Sequence, residues 1–249
     1  MNTDSRDSHW EKPEVVSNYT SEPVLFRGER LAFERYYLNG LQGQHVLEIG
    51  CGGGRVTHFL HKMGASVVAV DISENMINAA SAIYPEIEFR VMNAESLGFE
   101  EESFDLVVFS FNGLDCLYPK DARMRALQEV FRVLRPGGNF VFSHHNLSAL
   151  LFGWYRTLRP HKLVHRARHV MNGDVFKREV YIEEADFPGL VLYYAHGQQV
   201  VEDLNRSGFS LAAVLPNTRS IDMFQKLFKT SKLAEWTDPW PYYVFSKPH

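Results

Sequence analysis

Residues 46–55 read Val-Leu-Glu-Ile-Gly-Cys-Gly-Gly-Gly-Arg, a short apolar stretch that runs into closely spaced glycines. The apolar residues predict a buried strand over His45–Gly50, and the residues from Arg55 onward have the spacing of a helix. A turn between a parallel strand and a helix lies where open α/β sheets bind their ligands. Because glycine has no Cβ, the backbone at Gly50 and Gly52 can approach a ligand closely. The stretch therefore predicts a nucleotide site.

Strands and helices alternate along the chain on the C-terminal side of this turn. Further strands are predicted at Ser66–Ile72, Ile87–Met92, Phe104–Phe111, Asn139–Ser143, Phe209–Leu215 and Tyr242–Ser246. Strands that alternate with helices at this spacing are typical of a parallel sheet covered by helices. We interpret the chain as a lead-in and helix over 1–40, a core over 41–146, a cap insertion over 147–195 and the rest of the core sheet over 196–249.

Composition narrows the function classes. The chain has 249 residues, 45% hydrophobic and 22% charged, with a net charge of −4, which disfavours a nucleic-acid binder. The polar start with Asp4 and Asp7 is unlike a secretory signal, and no apolar run reaches the roughly 20 residues of a membrane span. Cys51 and Cys116 give neither a disulfide framework nor a paired metal motif. We expect a cytoplasmic protein without a metal site.

Two cofactor classes use a glycine turn in this position. A dinucleotide fold needs G-x-G-x-x-G, but the sixth position counted from Gly50 is Arg55. The sequence reads E-x-G-x-G-x-G instead, and the carboxylate of Glu48 would oppose a pyrophosphate while suiting ammonium and sulfonium charges. Asp71 ends the second predicted strand, where an acidic side chain can accept hydrogen bonds from both ribose hydroxyls.

With these residues the sequence resembles the class I S-adenosylmethionine-dependent methyltransferase family, particularly its small-molecule branch. The resemblance covers residues 45–146 well and 197–249 more loosely, and its motifs are Val46–Arg55, Val70–Ser73, Phe104–Val107 and Leu134–Gly138. It implies an α/β, Rossmann-like fold whose seven-stranded, mostly parallel sheet has an antiparallel last strand and helices on both faces, here with a helical cap insertion. The alternatives are a non-catalytic S-adenosylmethionine-binding or scaffold protein and an NAD(P)-dependent oxidoreductase.

The resemblance also implies which residues contact S-adenosyl-L-methionine. They are Glu48, Gly50, Cys51, Gly52, Asp71, Ile72, Asn93, Ala94, Ser110 and Phe111. Asp71 would hold the ribose, and Ile72 would pack on the adenine. Asn93 stands where the family usually has an aspartate for the adenine amino group, and its uncharged oxygen should bond more weakly. Ser110 and Phe111 would lie near the sulfonium.

Two histidines follow the fifth predicted strand, at the edge where the acceptor should bind. Because successive strand side chains point to opposite faces, at most one of His144 and His145 is expected to face the pocket. That histidine is a candidate general base, needed if the acceptor holds its proton at neutral pH; the other interpretation is a hydrogen-bonded histidine at the rim. Asn112, Asp115 and Tyr118 are near the same place or are ordinary loop residues. The expected acceptor is a small or medium-sized metabolite, acidic and partly apolar.

The cap insertion is strongly basic. No Asp or Glu occurs between Glu129 and Asp174, a stretch with seven Lys and Arg and five His. A first helix would follow Ser148 with an apolar side formed by Leu150, Leu151, Trp154, Tyr155 and Leu158. A second would follow Pro160 and bring together Leu163, Val164, Ala167, Val170 and Met171. Its opposite face would carry His161, Lys162, His165, Arg166, Arg168 and His169.

Three interpretations of this basic face remain open. It is a solvated surface, a lid whose cations, including Arg156 and Arg159, meet an acidic acceptor, or a peripheral contact with a membrane. A metal site built from the three helical histidines is disfavoured, because the neighbouring Arg and Lys would repel a cation.

Overall fold

The computed structural model describes residues 9–20, 24–37, 40–152, 160–184, 190–218 and 237–249. The strands are β1 (His45–Ile49), β2 (Ser66–Asp71), β3 (Glu88–Val91), β4 (Phe104–Phe109), β5 (Leu134–Ser143), β6 (His145–Asn146), β7 (Glu179–Glu183), β8 (Val191–Ala195), β9 (Ser210–Leu215) and β10 (Tyr242–Ser246). The α-helices are α1 (Pro13–Thr20), α2 (Arg27–Tyr36), α3 (Arg55–Lys62), α4 (Glu74–Ile83), α5 (Lys120–Val133), α6 (Ala149–Phe152), α7 (Pro160–Met171) and α8 (Gly197–Arg206). Short 3-10 turns cover Gly113–Cys116 and Asp174–Phe176.

Seven strands form the main sheet in the order β3-β2-β1-β4-β5-β10-β9. The pairs from β3 to β5 are parallel, and β10 runs antiparallel to both β5 and β9. Apolar side chains bury both faces of the sheet, as continuous apolar strands predict. The predicted seven-stranded fold with an antiparallel last strand is confirmed.

The end of β4 differs from the prediction. The strand stops at Phe109, two residues before the predicted end. Phe111 and Asn112 have φ angles of 52° and 59°, in the left-handed region that side chains other than glycine seldom adopt. This backbone breaks the strand and turns Ser110 and Phe111 into the loop that opens the first 3-10 turn.

The sequence predicts a helical cap, but the structure shows that the cap also contains strands. It contains α6 and α7, but β7 and β8 pair antiparallel, and β8 also pairs in parallel with β6 to form a three-stranded sheet. The reason is local: Glu179-Val-Tyr-Ile-Glu183 and Val191-Leu-Tyr-Tyr-Ala195 are rich in the β-branched and aromatic residues that favour strands. After Phe176, the cap therefore forms a small sheet where a helical segment was predicted.

Helix α7 is rotated relative to its predicted orientation. Val164 and Met171, expected on the buried side, are 70% and 80% exposed. The ring of His169 lies 4.6 Å from that of His165, and its Nδ1 is 2.6 Å from Oδ2 of Asp174. This bond holds His169 against the following 3-10 turn, and Val164 and Met171 point outward while Leu163 and Val170 are half-buried. The predicted cap residues Trp154, Tyr155, Arg156, Leu158 and Arg159 lie outside the described residues.

No helix in the described part of the chain is both long enough and apolar enough to cross a bilayer.

Candidate active site

A cavity of about 640 Å³ lies at the carboxyl ends of β1, β2 and β4. Its size falls within the roughly 300–1,000 Å³ of small-molecule sites. The lining contains all ten residues that the sequence predicts as cofactor contacts: Glu48, Gly50, Cys51, Gly52, Asp71, Ile72, Asn93, Ala94, Ser110 and Phe111. Residues from four separate segments of the sequence thus meet at one edge of the sheet, where the parallel order of the strands brings their ends together.

The glycine turn after β1 depends on having no side chains. Gly50 and Gly52 have φ angles of 64° and 52°, which would strain any residue with a Cβ. At Gly53 an added Cβ would lie 2.3 Å from the backbone oxygen of Tyr19. The turn therefore provides a backbone-lined wall and also accommodates the close approach of the N-terminal segment.

Asp71 is held rigidly at the end of β2. Its Oδ2 accepts a 2.8 Å hydrogen bond from the Gly52 N–H, and its Oδ1 accepts a 3.0 Å bond from the Ser73 N–H. Burial raises the pKa of this carboxyl, while these backbone hydrogen bonds oppose the rise. Each oxygen keeps a further lone pair, so the carboxylate can also accept hydrogen bonds from a diol in the cavity.

Glu48 is fully buried beside the glycine turn. Burial raises its pKa to about 8, although the hydrogen bond donated by the Thr57 hydroxyl and the charge of Arg55 both act to lower it. The Arg55 guanidinium is committed elsewhere, because its Nη1 and Nη2 lie 2.5 and 2.7 Å from the two carboxylate oxygens of the buried Glu29. Burial therefore favours the protonated form of Glu48 in the ligand-free cavity.

Asn93 occupies the cavity wall after β3, beside Ile72 and Ala94. Its Oδ1 already accepts a 2.9 Å hydrogen bond from the Glu95 N–H, which shapes the turn. One lone pair of this oxygen remains for a ligand amino group.

The wall after β4 is aromatic, with one orphaned polar atom. The Phe111 ring stacks on Phe26 at 5.0 Å with an interplanar angle of 9°, and contacts Tyr19 edge-on at 5.8 Å. Ser110 is buried in the same wall, and its Oγ has no hydrogen-bond partner among the described residues. A buried hydroxyl without a partner is costly, so Oγ is suited to bond a ligand in the cavity. Together with the glycine turn and Asp71, this atom fits an S-adenosylmethionine site.

The N-terminal segment also lines the cavity, a role that was not predicted for the lead-in and helix over 1–40. Trp10, Asn18, Tyr19, Val24 and Phe26 all line it. The segment is anchored because the Ser73 hydroxyl donates a 3.1 Å bond to the Trp10 oxygen. The signal available in the sequence was the pair of aromatic residues, Trp10 and Tyr19, within an otherwise polar stretch.

His144 and His145 do not line this cavity. They are 0% and 8% exposed, and both rings contact Asp115, with Nδ1 of His144 2.9 Å from Oδ1 and Nδ1 of His145 3.0 Å from Oδ2. The interpretation as hydrogen-bonded histidines describes these contacts, and direct catalysis by either stays a prediction. Asn112 is the neighbour of His145, with Nδ2 3.2 Å from Nε2.

The described part of the cap also lies outside the cavity lining. None of the described residues in 147–195 lines it, and Arg55 is the one Lys or Arg that does so in the described part of the chain. Since Arg55 is neutralised by Glu29, these residues provide no free cation for an acidic acceptor.

Comparison with known proteins places this arrangement in a family. Residues 46–138 match the model of a methyltransferase domain. The chain is 30% identical over 178 residues to a demethylmenaquinone methyltransferase of Renibacterium salmoninarum, covering 70% of each protein. It is 35% identical over 143 residues to a malonyl-[acyl-carrier protein] O-methyltransferase of Erwinia billingiae, covering 54% of each.

A solved structure supports the same fold over the whole chain. The CcbJ methyltransferase of Streptomyces caelestis superposes with a TM-score of 0.66 at 18% identity, covering 98% of this chain and 99% of that one. Together with the sequence relatives and the matched domain, the cavity at the glycine turn leads to one conclusion: the chain belongs to the class I S-adenosylmethionine-dependent methyltransferase family and is an enzyme of that class.

Proposed function

We propose that this enzyme methylates a small or medium-sized metabolite with an apolar or aromatic part, in the cavity at the carboxyl edge of the sheet. The observation that carries the proposal is the composition of the wall after β4, where the Phe111 ring contacts Phe26 and Tyr19, and all three line the cavity together with Ser110. Aromatic walls bind apolar ligands, and a single hydroxyl orients them.

Six of the predicted cofactor contacts have distinct proposed roles toward the methyl donor. The backbone at Gly50 and Gly52 and the Glu48 carboxyl face the methionine part, and Asp71 accepts the ribose hydroxyls. Ile72 packs on the adenine, with Asn93 at its amino group. When bound, S-adenosylmethionine supplies a methyl group on a sulfonium, so the protein's task is to align the acceptor with it and exclude water.

The names of the relatives agree with a small-molecule acceptor. One is a demethylmenaquinone methyltransferase and another acts on malonyl-[acyl-carrier protein], so an apolar quinone and a carrier-bound acyl group are both represented. The expectation of an acidic acceptor receives no support from the described lining, where Arg55 is paired. The described lining therefore favours contacts with the apolar part of the acceptor.

We divide the chain into four parts, after residues 40, 146 and 195. The third part, the cap over 147–195, has a proposed role of its own. Helix α7 exposes Val164 and Met171 together with Arg168, a mixture of apolar and basic side chains suited to an anionic membrane surface. We propose a peripheral contact there, which would place the enzyme near an apolar acceptor.

The cofactor site is tested with Asp71→Ala. The wild-type protein should gain thermal stability with S-adenosylhomocysteine, because a ligand that binds only the native state stabilises it. Losing the two ribose hydrogen bonds should weaken binding by about tenfold or more. Isothermal titration calorimetry and thermal unfolding with this ligand measure both effects.

Turnover is tested by incubating the protein with a metabolite extract and methyl-labelled S-adenosylmethionine. A labelled small molecule is expected, and its formation should be lost in Asp71→Ala. Tight cofactor binding without product, together with a stably co-purifying protein, would instead favour a scaffold. Stabilisation by NAD and not by S-adenosylhomocysteine would contradict the assignment of the site.

A further inference from the structure

A buried cluster joins the cavity wall to the cap. Asp115 lies in the first 3-10 turn, between Gly113 and Cys116, which both line the cavity. It is 0% exposed and accepts a 2.6 Å hydrogen bond from the backbone N–H of His145, in addition to the contacts with both imidazole rings. Nε2 of His144 is 3.1 and 3.3 Å from the backbone oxygen and nitrogen of Ala195 in β8. One carboxylate therefore organises two histidines from the end of the main sheet.

The ionisation of Asp115 is favoured by these partners. Burial alone would raise its pKa, but the two imidazoles that contact it lower the pKa below its usual range. A carboxylate accepts hydrogen bonds and does not donate them, so each Nδ1 facing it must carry the proton. In a neutral His145 this leaves Nε2 without a proton, as an acceptor.

The unprotonated Nε2 of His145 can accept a hydrogen bond from Asn112, which follows Ser110 and Phe111 in the loop after β4. Nδ2 of Asn112 lies 3.2 Å from it, and the backbone N–H of Asn112 donates a 2.7 Å bond to the Ser143 hydroxyl. These bonds hold Phe111 and Asn112 in their left-handed conformation, which residues other than glycine seldom adopt. The held turn is the one that presents Ser110 and Phe111 to the cavity.

We propose that Asp115 is a positioning residue for methyl transfer: it fixes His145 with the proton on Nδ1, so that Nε2 holds Asn112 and the turn keeps Ser110 and Phe111 in the cavity wall. This inference rests on the proposed function, because it concerns the same cavity. It assigns the histidine an indirect role, through the shape of the wall.

The arrangement is tested first on the wild-type protein. Long-range 1H–15N spectra of histidine-labelled protein at pH 7 should show His145 with its proton on Nδ1, the signal being assigned by its loss in His145→Gln. In Asp115→Asn, where one oxygen remains for the two imidazoles, the population of His145 with its proton on Nδ1 should fall. A wild-type His145 protonated on Nε2 would mean that it donates to Asn112, and this result would overturn the proposal.

Kinetics test the consequence. Asp115→Asn should lower kcat by about tenfold to a hundredfold, as a misplaced wall does, while affinity for S-adenosylhomocysteine falls by less than kcat does, because Asp71 and the glycine turn keep their places. Asp174→Asn is the matched control, because Asp174 also bonds a histidine, at 2.6 Å from His169, but lies in the cap away from the cavity. Its kcat should stay within about twofold of wild type.

The outcomes separate this inference from the proposed function. Absence of any methylated product from wild-type protein would contradict the proposed function, while the histidine spectrum and hydrogen exchange at residues 110–116 still test the positioning. Normal kcat and unchanged exchange in a folded Asp115→Asn protein would overturn the inference alone. A variant that fails to fold leaves the wild-type spectrum as the deciding measurement.

Discussion

Burial raises the pKa of the Glu48 carboxyl in the cavity wall. The pKa rises from 4.5 to about 8, so the folded protein keeps the carboxyl proton over a pH range in which the unfolded chain has released it. The folded state binds more protons there, and the free energy of unfolding therefore falls as pH rises from about 4.5 to about 8. Below that window the contribution of Glu48 to stability is fully present.

Glu48→Gln should remove this dependence. The amide is neutral at every pH, so the ligand-free variant should lose less stability than wild type between pH 5 and pH 8, a difference of a few kcal/mol at most. Urea unfolding at the two pH values measures it, with Glu34→Gln on the exposed side of α2 as the control. Parallel pH profiles for wild type and Glu48→Gln would show that Glu48 is ionised in the folded protein.

At the scale of elements, hydrogen bonds join the N-terminal segment to the start of helix α4. The Glu11 carboxylate accepts hydrogen bonds of 2.9 and 3.1 Å from the N–H groups of Glu74 and Asn75, at the positive end of the helix dipole. The same contact positions Trp10 and Tyr19 over the cavity. The Glu74 N–H at the start of the helix is therefore bound by a residue 63 positions earlier in the sequence.

Glu11→Ala should loosen this cover while leaving the sheet intact. Hydrogen exchange of residues 10–20 should speed up, and S-adenosylhomocysteine should dissociate severalfold faster, because about 1 kcal/mol of capping energy is lost. Mass spectrometry and stopped-flow fluorescence measure the two effects. Glu14→Ala removes the same charge from an exposed position in α1 and should change neither quantity.

Charge is unevenly distributed over the whole molecule. The net charge is −4, yet residues 160–178 carry five Lys and Arg against one Asp, beside the exposed Val164, Met171 and Phe176. Each basic residue near an anionic bilayer contributes roughly 1 kcal/mol to binding. This asymmetry would orient the molecule on such a surface with the cap toward the lipid.

Charge reversal tests the orientation. Arg168→Glu should weaken co-sedimentation with phosphatidylglycerol vesicles by about tenfold or more, with little change in S-adenosylhomocysteine affinity. Arg30→Glu makes the same charge change on exposed α2 and should bind the vesicles nearly as wild type does. A rise in acceptor KM without any loss of vesicle binding would favour the acidic-acceptor interpretation. No change in either would leave a solvated surface.

Local chemistry explains which features could be predicted. The glycine turn, Asp71 and the Ser73 cap of α4 follow from short-range rules, and the Met76 N–H does donate to the Ser73 hydroxyl at 3.1 Å. The parallel order of the strands then brings the ten cofactor positions together. The features that were missed depend on residues far apart in the sequence, such as Trp10 against Ser73 and Asp115 against His145. The spacing of apolar residues along the sequence gives no information about such distant pairs.

Strand β10 is synthesised after the two strands that it joins in the main sheet. It is the last strand along the chain, yet it lies between β5 and β9 and closes the hydrogen bonds of both. While the polypeptide is still emerging from the ribosome, those two strands present unpaired edges of the kind that recruit other chains. A nascent chain released before Tyr242 keeps both edges open, so the main sheet closes only after Tyr242–Ser246 has been synthesised.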